Sequence, residues 1–110
     1  MTTTAAVVKI YNMKATELLR RRIAYSELAF AELVLWQLPA SVPGSAHFYK
    51  YRLAYLVNGV CVLRYDNESG KGDHRHFRNQ ESPYSFETVD ELLNAFQRDI
   101  ERINRENINS

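Results

Sequence analysis

The sequence contains little cysteine, glycine and proline, and it has no large excess of charge of either sign. Its single cysteine, Cys61, cannot form an internal disulfide bond or build a thiolate metal cage. With only four glycines and three prolines, the composition is not that of a disordered or collagen-like chain. The formal net charge is only +1, so any binding of a polyanion must depend on a local cluster of cations.

Long apolar runs are also missing, and no stretch is long enough to be predicted to cross a bilayer. The first residues lack the basic-then-apolar pattern of a secretion signal, and together with the single cysteine this predicts a cytoplasmic protein with no membrane association. A length of 110 residues, 45% of them hydrophobic and 25% charged, indicates one compact globular domain. We expect this domain to span residues 14–104, between an N-terminal extension at 1–13 and a frayed tail at 105–110.

The middle of the chain predicts a β-hairpin. Apolar and polar residues alternate on both sides of Asn58-Gly59, the dipeptide preferred in two-residue hairpin turns. An uninterrupted register from this turn sets Arg52 beside Tyr65 and directs Arg52 and Arg64 to opposite faces of the sheet. Because the far end of the hairpin is polar and leads into residues 67–73, we expect the charged residues of both segments to be neighbours.

The C-terminal part of the chain predicts one amphipathic helix. Thr88, followed three residues later by Glu91, matches a capping box, and an acidic residue suits the positive start of a helix. Apolar residues then recur at helical spacing along one side: Val89, Leu92, Leu93, Phe96, Ile100 and Ile103. We expect this side to cover one face of the sheet, and we assign it no function.

The first third of the chain fits two structures. Residues 15–36 can form either one long helix or two strands, because their apolar residues do not separate the two periods. Alternation from Phe30 to Trp36 favours a strand for the second half, with Trp36 in the core. Pro39 and the loop after it end this element.

The segment from residue 65 to residue 76 contains most of the candidate functional residues. Two glycines flank Lys71 and allow unusual backbone angles and close approach of a ligand. The run Asp73-His74-Arg75-His76 follows. In an extended conformation, the two histidines point to one side, and Asp73 and Arg75 point to the other.

Three interpretations of this segment remain open. In the first, the two histidines, or one of them with Tyr65, act as general acid and base on an RNA 2′-hydroxyl. Asp73 is a supporting or proton-transfer group, and cations stabilise the phosphate transition state: Arg52, Arg64, Lys71 and Arg75. In the second, Asp73 and the histidines bind a divalent metal. In the third, these residues only stabilise the fold.

These motifs resemble those of the TumE family of toxins. The residues that carry the resemblance are Leu33 to Pro39, Tyr51 to Tyr55, Asn58-Gly59, Arg64 to Glu68, Lys71-Gly72-Asp73-His74-Arg75-His76, Pro83-Tyr84 and Phe86. The resemblance spans about residues 14–103 and favours two strands in the first third. It implies a toxin component of a bacterial toxin–antitoxin system, with a helix-turn-helix antitoxin as partner. Many small toxins of this kind are ribonucleases, which fits RNA as the target.

We therefore predict an α+β domain, a four-stranded antiparallel β-meander with the C-terminal helix packed on one face. The four strands correspond to residues 15–24, 28–38, 48–57 and 60–66. The predicted function is that of a ribonuclease-like toxin that uses no cofactor or metal. Its catalytic candidates are His74, His76, Tyr65 and Asp73, and its phosphate-binding candidates are Arg52, Arg64, Lys71 and Arg75. The alternatives are a non-catalytic nucleic-acid- or protein-binding module and a metal-dependent hydrolase, and a homo-oligomer stays open.

Overall fold

A computed structural model describes residues 15–109, and the predicted N-terminal extension lies outside this range. Six strands form one antiparallel sheet in which each strand pairs with its neighbours in sequence. They are β1 (Thr16–Ala24), β2 (Ala29–Gln37), β3 (Tyr49–Val57), β4 (Val60–Asp66), β5 (His74–Phe77) and β6 (Gln80–Pro83). The helix α1 (Val89–Asn109) follows. The α+β class and the antiparallel meander are confirmed, but the predicted number of four strands is wrong.

The two strands that the sequence did not predict form a short hairpin, β5–β6. Its turn lies between Phe77 and Gln80, which pair with each other. Arg78 in this turn has a φ of 57°, a conformation that residues other than glycine seldom adopt. The turn therefore has no glycine signal, and the four-residue strands beside it are too short to show a clear alternation.

The β3–β4 hairpin has the predicted turn but not the predicted register. Asn58 and Gly59 have φ angles of 55° and 76°, as a turn with two left-handed residues requires. The register then shifts next to this turn, because β4 contains one extra residue at Val62, a β-bulge. Beyond the bulge Arg52 pairs with Asp66, so the prediction that Arg52 lies beside Tyr65 is wrong.

Correcting the register also corrects the predicted orientation of two arginines. Ala54 pairs with Arg64, and Arg52 pairs with Asp66 two residues further along each strand. Side chains separated by two residues in a strand lie on the same face. Arg52 and Arg64 therefore share one face of the sheet, and the prediction that they point to opposite faces is wrong.

Helix α1 packs on one face of the sheet, which we call the covered face. Its predicted N-cap is present, since the backbone N–H of Glu91 donates to Oγ1 of Thr88 at 3.0 Å. The core between sheet and helix contains Leu33, Leu53, Tyr55, Leu63, Leu92, Phe96, Ile100 and Ile103, which include the predicted apolar side of the helix. The helix continues through residues 105–109, the segment that we expected to be a tail.

The opposite side of the sheet, which we call the open face, has no described element packed on it. Trp36 lies there, paired with Lys50 on β3, and it is only half-buried. The prediction that Trp36 belongs to the core is therefore wrong. The helix in the described range is not long and apolar enough to span a membrane.

Candidate functional site

Strand β5 directs its side chains alternately to the two faces of the sheet, as the sequence predicted for residues 73–76. His74 pairs with Asp66, and His76 pairs with Arg64, and all four lie on the open face. Arg75 pairs with Tyr65, and both lie on the covered face. The tetrapeptide Asp73-His74-Arg75-His76 is thus divided between two environments.

Two rows of polar residues cross the open face perpendicular to the strands. One row contains Arg52, Asp66 and His74 on β3, β4 and β5. The other contains Arg64, His76 and Glu81 on β4, β5 and β6. Because paired strands lie about 5 Å apart, residues next to each other in a row are close neighbours. The open face brings together four of the eight candidates: His74, His76, Arg52 and Arg64.

The two histidines make different hydrogen bonds. The Nδ1 of His74 lies 3.1 Å from the carbonyl oxygen of Gly72, and this ring nitrogen must donate because a carbonyl oxygen only accepts. Its Nε2 is then left as the acceptor of the ring. The Nε2 of His76 lies 2.9 Å from a carboxylate oxygen of Glu81 and donates to it. The ring of His74 can accept a proton at Nε2, whereas the ring of His76 donates its Nε2 proton to a carboxylate.

The cations of the open face differ in how far carboxylates neutralise them. The Nε of Arg64 lies 3.0 Å from Oδ2 of Asp66. The side chains of Lys50 and Arg52 form no ion pair and no hydrogen bond with any residue in the described range. They line a groove of about 480 Å³, which we call the open-face groove. Its lining residues are Val34, Trp36, Lys50, Tyr51, Arg52, Arg64, Asp66 and Glu68.

Asp73 belongs to a hydrogen-bond network away from the histidines of β5. Its carboxylate accepts from Oγ of Ser45 at 2.7 Å, from Nε2 of His47 at 2.6 Å and from the hydroxyl of Tyr51 at 2.7 Å. Burial raises the pKa of Tyr51, and its donation to Asp73 raises it further. Only 8% of the Asp73 side chain is exposed. This carboxylate is therefore engaged in joining two loops.

The loops that Asp73 joins are also packed closely against each other. The backbone N–H of Gly70 donates to the carbonyl oxygen of Pro43 at 2.7 Å. A Cβ atom on Gly72 would lie 2.8 Å from the carbonyl oxygen of Gly44, so no larger residue fits there. The ring of His47 stacks on Phe86 with its centroid at 3.8 Å. These glycines therefore allow a neighbouring loop, and not a ligand, to approach the backbone closely.

Tyr65 and Arg75 form a second network on the covered face. The hydroxyl of Tyr65 donates to Oδ2 of Asp99 at 2.5 Å, and Nε of Arg75 donates to the same oxygen at 2.9 Å. Burial raises the pKa of Tyr65, and donation to Asp99 adds to this. Since Asp99 lies on α1 and is buried, these contacts fasten β4 and β5 to the helix.

Lys71 and Asp73 are not brought together with the four candidates of the open face. The Nζ of Lys71 lies 3.6 Å from a carboxylate oxygen of Glu68, with most of both side chains exposed. Asp73 lies on the face opposite to His74 and His76, so these three do not converge. Within the described residues there is no cluster of three or more His, Cys, Asp or Glu side chains that could hold a metal ion.

Several residues that matter to this region were missed by sequence reasoning. Asp99 has a recognisable signal, because it lies between Phe96 and Ile100 on the apolar side of α1, where a carboxylate needs a buried partner. Ser45 and His47 carry no such signal, since their partner Asp73 is distant in sequence. Trp36 was assigned to the core because alternation alone does not tell which face of a sheet is covered.

Comparison with known protein families identifies a family that this chain matches. The family described as Toxin TumE matches residues 6–104, which is most of the chain. This match confirms the resemblance found in the motifs. No curated protein and no solved structure gives a significant match.

Proposed function

The chain belongs to the TumE toxin family, and on that premise we propose that it is a ribonuclease-like toxin whose active site is the open face of the sheet. The observation that supports this proposal is that His74, His76, Arg52 and Arg64 share one face that α1 does not cover. Two imidazoles and two guanidinium groups are the set that RNA cleavage by general acid–base chemistry needs.

In the proposed reaction, the histidines move the two protons. The Nε2 of His74 accepts the proton of a 2′-hydroxyl, whose oxygen attacks the adjacent phosphorus atom. The bond from phosphorus to the 5′-oxygen breaks, and His76 donates a proton to that leaving oxygen. The products are a 2′,3′-cyclic phosphate and a free 5′-hydroxyl. Residues separated by two positions in a strand are about 7 Å apart, which leaves space for a phosphodiester between the rings.

The arginines stabilise the charge that develops on the phosphate. Arg64 is the cross-strand partner of His76. Arg52 lies in the same row as His74, with Asp66 between them. Fixed cations beside the pentacoordinate phosphate lower the barrier because they do not need to reorganise during the reaction. In this proposal Tyr65, Asp73 and Arg75 support β5 from the covered face, and Lys71 contacts phosphate from the loop.

The proposal is tested by expressing the wild type and His74→Ala from a tightly controlled promoter in cells without an antitoxin. Wild-type protein should stop growth and yield RNA fragments that end in 2′,3′-cyclic phosphate. Purified His74→Ala should cleave RNA about 10²- to 10⁴-fold more slowly, as expected for loss of a general base. Arg105→Ala, at an exposed position on α1, is the matched control and should behave as wild type.

Two outcomes would contradict a metal-independent ribonuclease. If His74→Ala and His76→Ala both stop growth as strongly as the wild type, the open face acts by binding alone. If a chelator abolishes cleavage and added metal restores it, the reaction is that of a metal-dependent hydrolase. Normal growth of cells that accumulate folded wild-type protein would contradict the toxin activity itself.

Membership of a toxin family implies an antitoxin partner. We further propose, from the resemblance of the motifs, that this antitoxin carries a helix-turn-helix DNA-binding domain. Co-expression of the product of the neighbouring gene should restore growth, and the two proteins should purify as a complex. A neighbouring product without a helix-turn-helix domain that still restores growth would contradict this part of the proposal.

A further inference from the structure

The open-face groove contains an aromatic side chain that the proposed reaction does not use. Trp36 is the only tryptophan in the chain, and it lies on β2 opposite Lys50 of β3. Its indole makes no hydrogen bond and no ring contact with the residues described. Val34 and Arg52 form the adjacent pair. The groove is therefore lined by an aromatic ring that has one cation, Lys50, directly opposite it on β3 and a second, Arg52, two residues further along that strand.

The charges around this ring favour an anionic ligand. The carboxylates that line the groove, Asp66 and Glu68, are paired with Arg64 at 3.0 Å and with Lys71 at 3.6 Å. Lys50 and Arg52 have no carboxylate partner in the described range. Two cations without partners therefore lie within one groove, although the whole chain has a net charge of only +1.

We propose that the open-face groove binds single-stranded RNA, with one base stacked on Trp36 and the adjoining phosphates held by Lys50 and Arg52. A flat aromatic ring beside cations is the arrangement by which proteins hold single strands, since every base has a face that can stack. A base inside a duplex is stacked on its neighbours and is not available to such a ring. The substrate class is thus an unpaired segment of RNA.

The position of Trp36 relative to the histidines makes it a specificity residue for the proposed reaction. Arg52 and His74 belong to the same row across the sheet, two strands apart, which corresponds to about 10 Å. A strand held at Trp36 and Arg52 continues toward His74 along this row. This inference rests on the proposed function for its link to cleavage, but the binding itself requires no reaction.

The experiment uses the tryptophan fluorescence of the full-length protein, excited at wavelengths that tyrosine does not absorb, and this signal comes from Trp36 because it is the sole tryptophan. The ligand is an oligonucleotide of 2′-O-methyl RNA, which lacks the 2′ nucleophile and therefore stays intact. Titration with the single strand should quench the fluorescence in a saturable way. The same oligonucleotide annealed to its complement should bind with an affinity at least roughly tenfold lower.

Two variants separate stacking from simple attraction of charge, with affinity measured by the anisotropy of labelled oligonucleotide. Trp36→Leu should weaken binding by roughly 5- to 150-fold, the range expected for loss of one base stack. Trp36→Phe should retain most of the affinity because it keeps an aromatic face. Tyr25→Leu removes an exposed aromatic residue on the covered side and should bind as wild type.

The outcomes distinguish this inference from the proposed function. Saturable quenching by a protein that does not cleave RNA would overturn the ribonuclease and keep the binding site. Cleavage that Trp36→Leu performs as well as wild type, without quenching of the wild type, would overturn this inference alone. Equal affinity for single strand and duplex, or equal loss in Trp36→Phe and Trp36→Leu, would also overturn it.

Discussion

The covered and open faces of the sheet differ in how completely their polar groups are paired. In the described part of the chain, no buried side-chain nitrogen or oxygen lacks a hydrogen-bond partner. Asp73 and Asp99 each accept from more than one donor on the covered face. Lys50 and Arg52 on the open face have no such partner in that range. The first face uses polar groups to hold the structure, and the second leaves cations available to a ligand.

Strand β5 shows the same difference within four residues. Arg75 is half-buried and fixed to Asp99, whereas His74 on the other face keeps one ring nitrogen free to accept. Substitutions of adjacent residues should therefore have different consequences, one for stability and one for activity. Substitutions on the two faces test this separation, and we expect the largest change in free energy on the covered face.

The largest effect should follow from removing the carboxylate shared by Tyr65 and Arg75. Asp99→Ala leaves both donors without their acceptor in a buried site, at a cost of about 3 kcal/mol in the free energy of unfolding. Thermal unfolding followed by circular dichroism should show a Tm lowered by roughly 12 °C or more. Arg52→Gln on the open face should stay within about 0.5 kcal/mol of wild type. Similar losses in both variants would contradict the separation.

A smaller loss of stability should follow from changing Asn67, which is fully buried. Its Oδ1 accepts from the backbone N–H of Tyr51 at 2.9 Å, and its Nδ2 donates to the carbonyl oxygen of Tyr49 at 2.6 Å. Asn67→Ala removes these two bonds and a longer one from Nδ2 to Oγ of Ser45, and it should cost about 2 kcal/mol, measured from the urea midpoint. Asn94→Ala, exposed on α1, is the control and should change the midpoint little.

Alkaline pH should weaken the covered face through its tyrosines. Burial raises the pKa of Tyr65, and donation to Asp99 adds to it, so the folded protein keeps this proton after the unfolded chain has lost it. The contribution of Tyr65 to the free energy of unfolding is therefore fully present below about pH 10, the pKa of an unfolded tyrosine. This contribution falls as the pH rises above that value. Each retained proton contributes a slope of about 1.4 kcal/mol per pH unit.

Urea unfolding of the wild type and of Tyr65→Phe measures this contribution. The phenylalanine variant should lose stability less steeply above about pH 10. Near pH 8 the difference between the two proteins should not depend on pH. Parallel decreases of both proteins above pH 10 would show that Tyr65 ionises as readily in the folded state as in the unfolded chain.

The smallest effect on free energy should come from a single cation of the open face. Arg52→Gln should weaken binding of single-stranded RNA a few-fold and lower the slope of log affinity against log salt by about 1. Anisotropy titrations over a range of sodium chloride concentrations provide both quantities. Arg98→Gln, on the exposed side of α1, should leave the slope unchanged. An equal change in both variants would mean that binding follows net charge rather than the groove.

Elements with local signals were predictable from the sequence. Asn58-Gly59 adopts the expected turn, and Thr88 caps α1 through the backbone N–H of Glu91. The first two strands agree closely with the two-strand alternative. Strands β5 and β6 were not predictable, because Arg78 takes a left-handed conformation without a glycine and each strand has four residues.

The candidate site was predictable only in part, because its geometry depends on contacts between distant residues. Alternation in β5 separates His74 from Arg75 as expected. The partners of Asp73 lie 22 to 28 residues away in sequence, and Asp99 lies 34 residues from Tyr65, so no local pattern tells which side chains these groups contact. The pairing of Arg52 with Asp66 depends on a bulge, and nothing in Cys61-Val62 indicates an extra residue.

The bulge shows that the number of residues in β4, and not only their types, sets which face of the sheet each side chain occupies. If the bulge closed with Val62 still present, Val62 would pair with Tyr55, and every residue after it would exchange faces. Arg64 would then lie beneath the helix, Tyr65 would face water, and the strands paired beyond β4 would follow the same inversion. Deletion of Val62 would instead remove the bulge and leave Arg64 opposite Ala54 on the open face, so one extra residue sets which side chains of three strands reach that face.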